Sequence, residues 1–269
     1  MSIEIIDNEA REDGASDGIR SRTFVTAFAR GLDVILAFGA GAGRLTLSEV
    51  AARTGVDRAV ARRSLMTLVE LGFAESDGRR FSLTPQVLRL AQAYLGGAGL
   101  DRRMQPALDA LANRIGESVS LSVLAWPDIV NVARAEAADR PFRHALTVSS
   151  RIPAHATASG RVLVTALSPE ALRTVLKSPL TRYTPRTVVD SAALLRAVAE
   201  CREVGFAVLD GELEEGFVSA AVPVTDSAGR LVAALATSSH VGRRDAAALR
   251  NDVVPLMKAA AREMTVLLV

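Results

Sequence analysis

Arg58, Arg62 and Arg63 recur at the spacing of one helical face, and Arg79 and Arg80 follow beside Gly78. Guanidinium groups so placed suit two chemistries: bidentate donation to guanine and the gripping of phosphate. They sit in RLTLSEVAARTGVDRAVARRSLMTLVELGFAESDGRRFSLT, residues 44–84. Two short helical patterns flank Gly55 here. The first starts near Thr46 or Leu47, with Thr46 or Ser48 as cap and Leu47, Val50 and Ala51 inward. The second is predicted over about residues 57–71, with Ala61, Leu65 and Leu68 as its inner stripe. That leaves Arg58, Ala59, Arg62, Arg63, Met66 and Thr67 facing out. Residues 73–75 and 80–83 read as short paired strands joined by Ser76-Asp77-Gly78-Arg79, since Asp-Gly favours hairpin turns. One helix for the major groove and a hairpin beside it make a winged helix-turn-helix. The candidate DNA contacts are Ser48, Arg58, Ala59, Arg62, Arg63 and Thr67, with Arg79 and Arg80 at the wing tip. The competing reading is a solvated basic helix face.

The charge distribution favours the first reading. A net charge of +2 hides one arginine against six acids in residues 1–19 and eleven arginines against six acids in residues 20–90. The positive charge lies where phosphate binding needs it. The chain has 269 residues, 23% of them charged and 49% hydrophobic, enough for two ordinary cores. No apolar run of about 18 residues is present, so no membrane span is expected. The N-terminus lacks the order of a secretory signal, and Cys201 is the only cysteine, so an internal disulfide is excluded and the cytoplasm is expected.

Around this motif the chain divides as follows. Residues 1–21 form an acidic arm without periodicity, expected to be disordered. Phe24, Phe28, Leu32, Ile35 and Phe38 recur every three or four residues as the stripe of an amphipathic helix. GAGAG (39–43) ends it as a turn; no Lys-Ser/Thr follows, so it is not a nucleotide loop. Residues 22–84 make the DNA-binding domain. Residues 85–100 make a linker: a helix opened by Pro85 and interrupted by Gly96, Gly97, Ala98 and Gly99. Residues 101–269 follow as one domain. A helix is expected over 101–115, then strands in SVSLSVLAW and IVNVARAEA around Pro127-Asp128, and a third in HALTVSS. HATASGRVLVTAL, PEALRTVLK and SAALLRAVAECREVG read as helices, FAVLD, VSAAVPVTD and GRLVAALATSS as strands, and the C-terminus as a helix. The fold class is α+β, an antiparallel sheet covered by helices.

The chain resembles the IclR-type transcriptional regulators. FVTAFARGLDVILAF, the helix-turn-helix, RIPAHATASGRVLVTAL and VGFAVLDGELEEGFVSAAVPVTDSAGRLVAAL fall in family order over about residues 22–269. FARGLDVI and the ARAEA and TVSSRIPAHATASGRVL stretches are most similar to the branch that controls aromatic-acid catabolism through the β-ketoadipate route. The resemblance implies an N-terminal winged helix-turn-helix, a linker helix and a C-terminal GAF-like effector domain. It also implies a homodimer or dimer of dimers on partly palindromic double-stranded DNA, and a small carboxylate effector such as protocatechuate, 4-hydroxybenzoate or β-ketoadipate. The family often has Ser-Thr where this chain has Ala59-Val60, which removes two hydroxyl donors.

The family's effector positions fall on Ala158 and Ser159, at or beside Asp210, and on Phe217, Ser219, Ala236 and Ser238. The serines supply hydrogen bonds, the alanines room and Phe217 an apolar wall. A carboxylate also needs a cation or a helix N-terminus, and the HATASGR helix offers the latter. Arg134 is read either as that cation or as an outward strand residue, and Arg151 either as that cation or as a surface loop charge. Trp126 is read either as a turn-packing aromatic or as a ligand contact. His155 has no acid or cysteine spaced to complete a zinc set, so no metal and no cofactor are expected. The alternative function is a metabolite-binding module or enzyme with an incidental basic start. No Gly-x-Ser-x-Gly, His-Glu-x-x-His or Cys-x-x-Cys pattern supports it.

Overall fold

The computed structural model describes residues 23–39, 43–97, 100, 102–137 and 150–268. The acidic arm and most of HALTVSS lie outside the described residues. The chain divides into two compact units between Tyr94 and Leu95.

The first unit packs α1 (Thr26–Leu36), α2 (Leu47–Thr54) and α3 (Arg58–Glu70) against a small sheet. Local chemistry sets each boundary. Thr46 Oγ1 accepts from the Glu49 backbone N–H, and Glu49 Oε2 accepts from the Thr46 backbone N–H at 2.7 Å, a complete capping box. That backbone bond holds the Glu49 carboxyl below the usual carboxylate range. Gly55 ends α2 in the left-handed region at φ 67°, where a side chain is strained. Asp57 then caps α3 through the Val60 N–H at 2.9 Å. Ala61 and Leu65 are fully buried and Leu68 nearly so, packed with Val34, Phe38 and Val50.

The sheet has the order β1-β3-β2, with β1 (Leu45–Thr46), β2 (Ala74–Ser76) and β3 (Arg80–Leu83) all antiparallel. β1 escapes a periodicity argument because two residues cannot show alternation. The stripe on α1 is also corrected. Phe28 is 69% exposed, and Phe24 and Leu32 are exposed as well. Val34 and Phe38 enter the core, with Ile35 packed beside them.

Thr84 caps a 3-10 turn at Pro85–Val87, and α4 (Leu88–Gly97) follows. Gly96 and Gly97 do not interrupt the helix; they are its last residues. Each glycine costs a helix only about 1 kcal/mol relative to alanine, too little to enforce a break. Ala98 and Gly99 lie outside the described residues.

The second unit is built on a six-stranded antiparallel sheet. Its strands are β4 (Val119–Ala125), β5 (Asp128–Ala135), β6 (Arg151–Pro153), β7 (Ala207–Asp210), β8 (Phe217–Thr225) and β9 (Leu231–His240), in the order β6-β5-β4-β9-β8-β7. The described strand beside β5 is therefore Arg-Ile-Pro. One face carries Val119, Leu121, Val222 and Leu235 against α5 (Gln105–Ile115) and the C-terminal helices α9 (Ala246–Ala248) and α10 (Val254–Leu267). The other carries Ile129, Leu209, Ala221 and Ala234 against α6 (Ala158–Leu163). Outside α6, α7 (Pro169–Val175) and α8 (Ser191–Val204) bury Leu172, Val175, Leu194 and Val198.

One irregularity matters for function. Leu121 pairs with Ala133, but Ser122 pairs with Asn131, leaving Val132 unmatched. Such a bulge shifts the alternation of side chains by one residue. Ile129 and Asn131 face α6, Val132 and Ala133 pack toward α5 and α10, and Arg134 returns to the α6 side. With regular alternation in place of the bulge, Ala133 would take that place.

Candidate DNA interface and ligand cavity

The outward face of α3 carries Arg58, Ala59, Arg62, Arg63 and Thr67, all exposed, as the periodicity predicts. Among the described residues, none of the three arginines forms an ion pair. Thr67 Oγ1 donates to the Arg63 carbonyl at 2.9 Å, so its proton is used within the helix. Ser48 is exposed in the first turn of α2, and the cap there is Thr46. At the wing tip Gly78 adopts φ 92°, and Asp77 Oδ1 accepts from the backbone N–H groups of Arg79 at 3.0 Å and Arg80 at 2.7 Å. The Arg80 bond first and the Arg79 bond second hold the Asp77 carboxyl low. The turn is thus closed through its backbone, and both guanidinium groups stay exposed.

In the second unit, the α6 side of the sheet encloses a cavity of about 110 Å³. One water needs roughly 10–15 Å³ on this measure, so a one-ring organic acid is of the right order. Ala158, Ser159, Phe217, Ser219, Ala236 and Ser238 all line it, together with Arg134. Arg134 has a side chain only 11% exposed. Its Nε lies 3.6 Å from Glu136 Oε1, and among the described residues neither Nε nor Nη2 has a hydrogen-bond partner. Ser118, whose Oγ is also buried without a partner, lines the same space. Buried donors are almost always satisfied, so an orphaned guanidinium facing a cavity marks a missing acceptor.

Three expected contacts lie elsewhere. Trp126 packs with Leu124 on the hydrophobic clusters beneath α6 and α7 and does not line the cavity. Arg151 ties β6 to β5 through Asp128 Oδ2 at 3.0 Å, with its side chain 56% exposed. Asp210 is paired with Arg186 Nη1 at 2.6 Å, and the chain turns into the cavity one residue later, at Gly211 and Glu212. Arg151 and Asp210 are each held by an ion-pair partner, and Trp126 by apolar packing. His155 is buried, with Nε2 2.9 Å from the Thr181 carbonyl and its ring 5.8 Å from that of Tyr183. The α6 helix is six residues long, and its Thr157 cap already takes the Gly160 N–H.

Two domain matches decide the family. Residues 27–78 match the IclR helix-turn-helix domain, and residues 92–266 match the bacterial transcriptional regulator IclR C-terminal domain. The chain belongs to the IclR family of transcriptional regulators. It is 39% identical over 242 residues to the Pca regulon regulatory protein of Pseudomonas putida, covering 90% of this chain and 83% of that protein. A transcriptional regulator of Rhodococcus sp. RHA1 has a similar fold at TM-score 0.75 and 39% identity, over 91% of this chain and 98% of that one. An IclR homologue from Microbacterium hydrocarbonoxydans, solved in complex with 4-hydroxybenzoate, matches at TM-score 0.73 and 26% identity, over 90% of this chain and 99% of that one.

The regulator's cavity also holds an acceptor that residue type and spacing do not single out. Glu212 lies in DGELEEG, where four acids in seven residues give no sign of which one is buried; Glu214 also lines the cavity but is exposed. Its side chain is 11% exposed, and its carboxylate accepts from Arg161 Nη2 at 3.1 and 3.3 Å. Thr187 Oγ1 donates to the Glu212 carbonyl and Thr184 Oγ1 to the Gly211 carbonyl, both at 2.6 Å, fixing this loop. Asn131, another cavity residue, is held by the Ser122 hydroxyl at 2.8 Å.

Gly160 seats α6 on the chain beneath it. A Cβ there would lie 1.9 Å from the Ala154 carbonyl oxygen, which is backbone and cannot rotate away. Gly160→Ala is therefore expected to lower the unfolding free energy by about 1–3 kcal/mol, the usual cost of overpacking. Urea denaturation measures this. An unchanged midpoint would mean that α6 lifts from Ala154 freely.

Proposed function

We propose that this regulator binds operator DNA through α3 and the β2–β3 wing and responds to a hydroxylated aromatic carboxylic acid held between α6 and the sheet. The observation that carries the ligand reading is Arg134, whose buried Nε and Nη2 have no hydrogen-bond partner. A carboxylate supplies paired acceptors in that geometry. Glu212 lines the same cavity as an acceptor, so the ligand also needs a donor, which a ring hydroxyl provides. The complex of the Microbacterium homologue with 4-hydroxybenzoate supports the same class. Titration of the full chain with 4-hydroxybenzoate, benzoate and 4-hydroxybenzyl alcohol tests it. The first should bind best, because each of the others lacks one of the two polar groups. Equal affinity for all three would sink the reading.

On the DNA side the proposed contacts are Arg58, Ala59, Arg62, Arg63 and Thr67 on α3, Ser48 at the start of α2, and Arg79 and Arg80 on the wing. Residues 22–84 serve as the DNA-binding domain, 85–100 as the linker and 101–269 as the effector and oligomerisation domain, in the cytoplasm. A homodimer or dimer of dimers sets two α3 helices in successive major grooves of a partly palindromic operator. Exposed Phe28 and Leu36 on α1 and Leu88 on α4 support self-association of this part of the chain. Ligand binding shifts the packing of the effector domains, and the linker carries that shift to the spacing of the two helices.

Gel shifts on the DNA upstream of the regulator's gene test these contacts. Arg62→Ala and Arg63→Ala should each lose about 1–3 kcal/mol of operator affinity. Loss of Arg79 and Arg80 should weaken all sequences alike and flatten the salt dependence by about two phosphate contacts. Wild-type affinity in the first pair, or a wild-type salt slope in the second, would remove those residues from the interface.

A further inference from the structure

The outer face of α3 is not basic throughout. Ala59 and Met66 are seven residues apart, almost two turns, so they stand one above the other on the side opposite buried Ala61, Leu65 and Leu68. Arg62 and Arg63 flank that line, and Met66 is 48% exposed between turns that carry charge. Glu70, exposed on the same side, closes the line with a carboxylate that phosphate repels. The groove-facing part of the helix therefore has an apolar crest with a guanidinium on either side.

An apolar crest limits what can lie beneath it. A thioether or a methyl group pressed on a base edge satisfies no donor or acceptor there. The amino group of cytosine or adenine and the carbonyl of guanine would lose water without compensation. The C5-methyl of thymine is the apolar feature of the major-groove floor, and burying it against another apolar group is favourable. We propose that Ala59 and Met66 read thymine methyl groups, which makes them specificity-determining residues of the operator contact. This rests on α3 being the helix that enters the groove, as proposed above. The two residues are about 10 Å apart along the helix axis, roughly three base-pair steps. Each half-site then carries two thymines at about that separation, with guanines next to them for Arg62 and Arg63.

The experiment starts with selection of preferred sites from a pool of random DNA duplexes by the full-length protein. Each thymine of the selected half-site is then replaced by deoxyuridine, which removes the methyl group and nothing else. Deoxyuridine at two positions per half-site should weaken binding about fourfold each, the effect of one methyl group returned to water. Met66→Gln, at an exposed helical position that tolerates the change, should erase the penalty at one position and keep it at the other. Ala59→Ser should erase the second. Silent deoxyuridine at every position, or the wild-type penalty pattern in both variants, overturns methyl reading. Arg62→Ala and Arg63→Ala separate the two levels. Lost affinity in these variants with silent deoxyuridine leaves α3 in the groove and removes the methyl contacts, whereas full affinity in them removes α3 itself.

Discussion

Arg134→Met is expected to weaken binding of 4-hydroxybenzoate by roughly 30- to 1000-fold while raising the stability of the ligand-free regulator. The first effect follows from losing a charge-assisted, nearly dry contact, whose truncation costs about 2–4 kcal/mol. The second follows from the free state. Arg134 Nε and Nη2 are buried without hydrogen bonds, and the Glu136 carboxylate at 3.6 Å is 41% exposed. A half-exposed partner recovers little of what burial of a cation costs. Methionine fills a similar volume with no charge to desolvate, so the free protein should gain on the order of 1 kcal/mol. Calorimetric titration and urea unfolding of the same preparation measure both effects. A wild-type dissociation constant in this variant would refute the role of Arg134, and lower stability would show that the guanidinium has partners in the free state.

The second large effect concerns the buried ion pair at the edge of the cavity. Arg161 and Glu212 have side chains 6% and 11% exposed, and Arg161 Nε has no hydrogen-bond partner. Removing one member strands the other charge in a site that water barely reaches. Arg161→Met is therefore expected to lose about 3–5 kcal/mol of unfolding free energy. Against a typical total of about 5–15 kcal/mol this is a large fraction. The double variant Arg161→Met/Glu212→Leu should recover most of that loss, because no buried charge remains. It should also prefer 4-hydroxybenzoate over benzoate less strongly, since the buried carboxylate that accepts the ring hydroxyl is gone and the exposed Glu214 is the other acid at the cavity. A single variant within about 1 kcal/mol of wild type would mean that the pair is hydrated. A double variant with an undiminished preference for the hydroxylated acid would remove Glu212 from ligand selection.

Much of the fold could be read from short-range pattern. The helix pair around Gly55, the Asp-Gly hairpin and most strands and helices of the effector domain fall within a few residues of where period and turn chemistry set them. These features depend on neighbours close in sequence: a cap three residues away, a left-handed glycine, an alternation of period two. The element ends that depart from local pattern have the same origin. Gly96 and Gly97 remain helical because propensity is a weak force beside the rest of α4, and the β1 strand is too short to carry a pattern. Arg151 carries the right charge for a carboxylate and Asp210 stands at a family position, but Asp128 and Arg186 take them first, and only folding brings those partners near.

By itself the amino-acid sequence determined that an arginine-rich helix and hairpin form a DNA-facing unit, because helix caps, turn glycines and charge all act over a few residues. Tertiary structure decided which polar groups meet in the cavity. Arg134 reaches it because Val132 is an extra residue opposite Leu121 and Ser122, and that bulge exists only when two strands are laid side by side. Glu212 reaches it because Arg161, fifty-one residues away, compensates its charge. Alternation along one strand would send Arg134 to the opposite face, and no local rule selects which acid among four is buried. Those two choices belong to long-range pairing, where a one-residue shift or a distant counter-charge outweighs any preference of the segment alone.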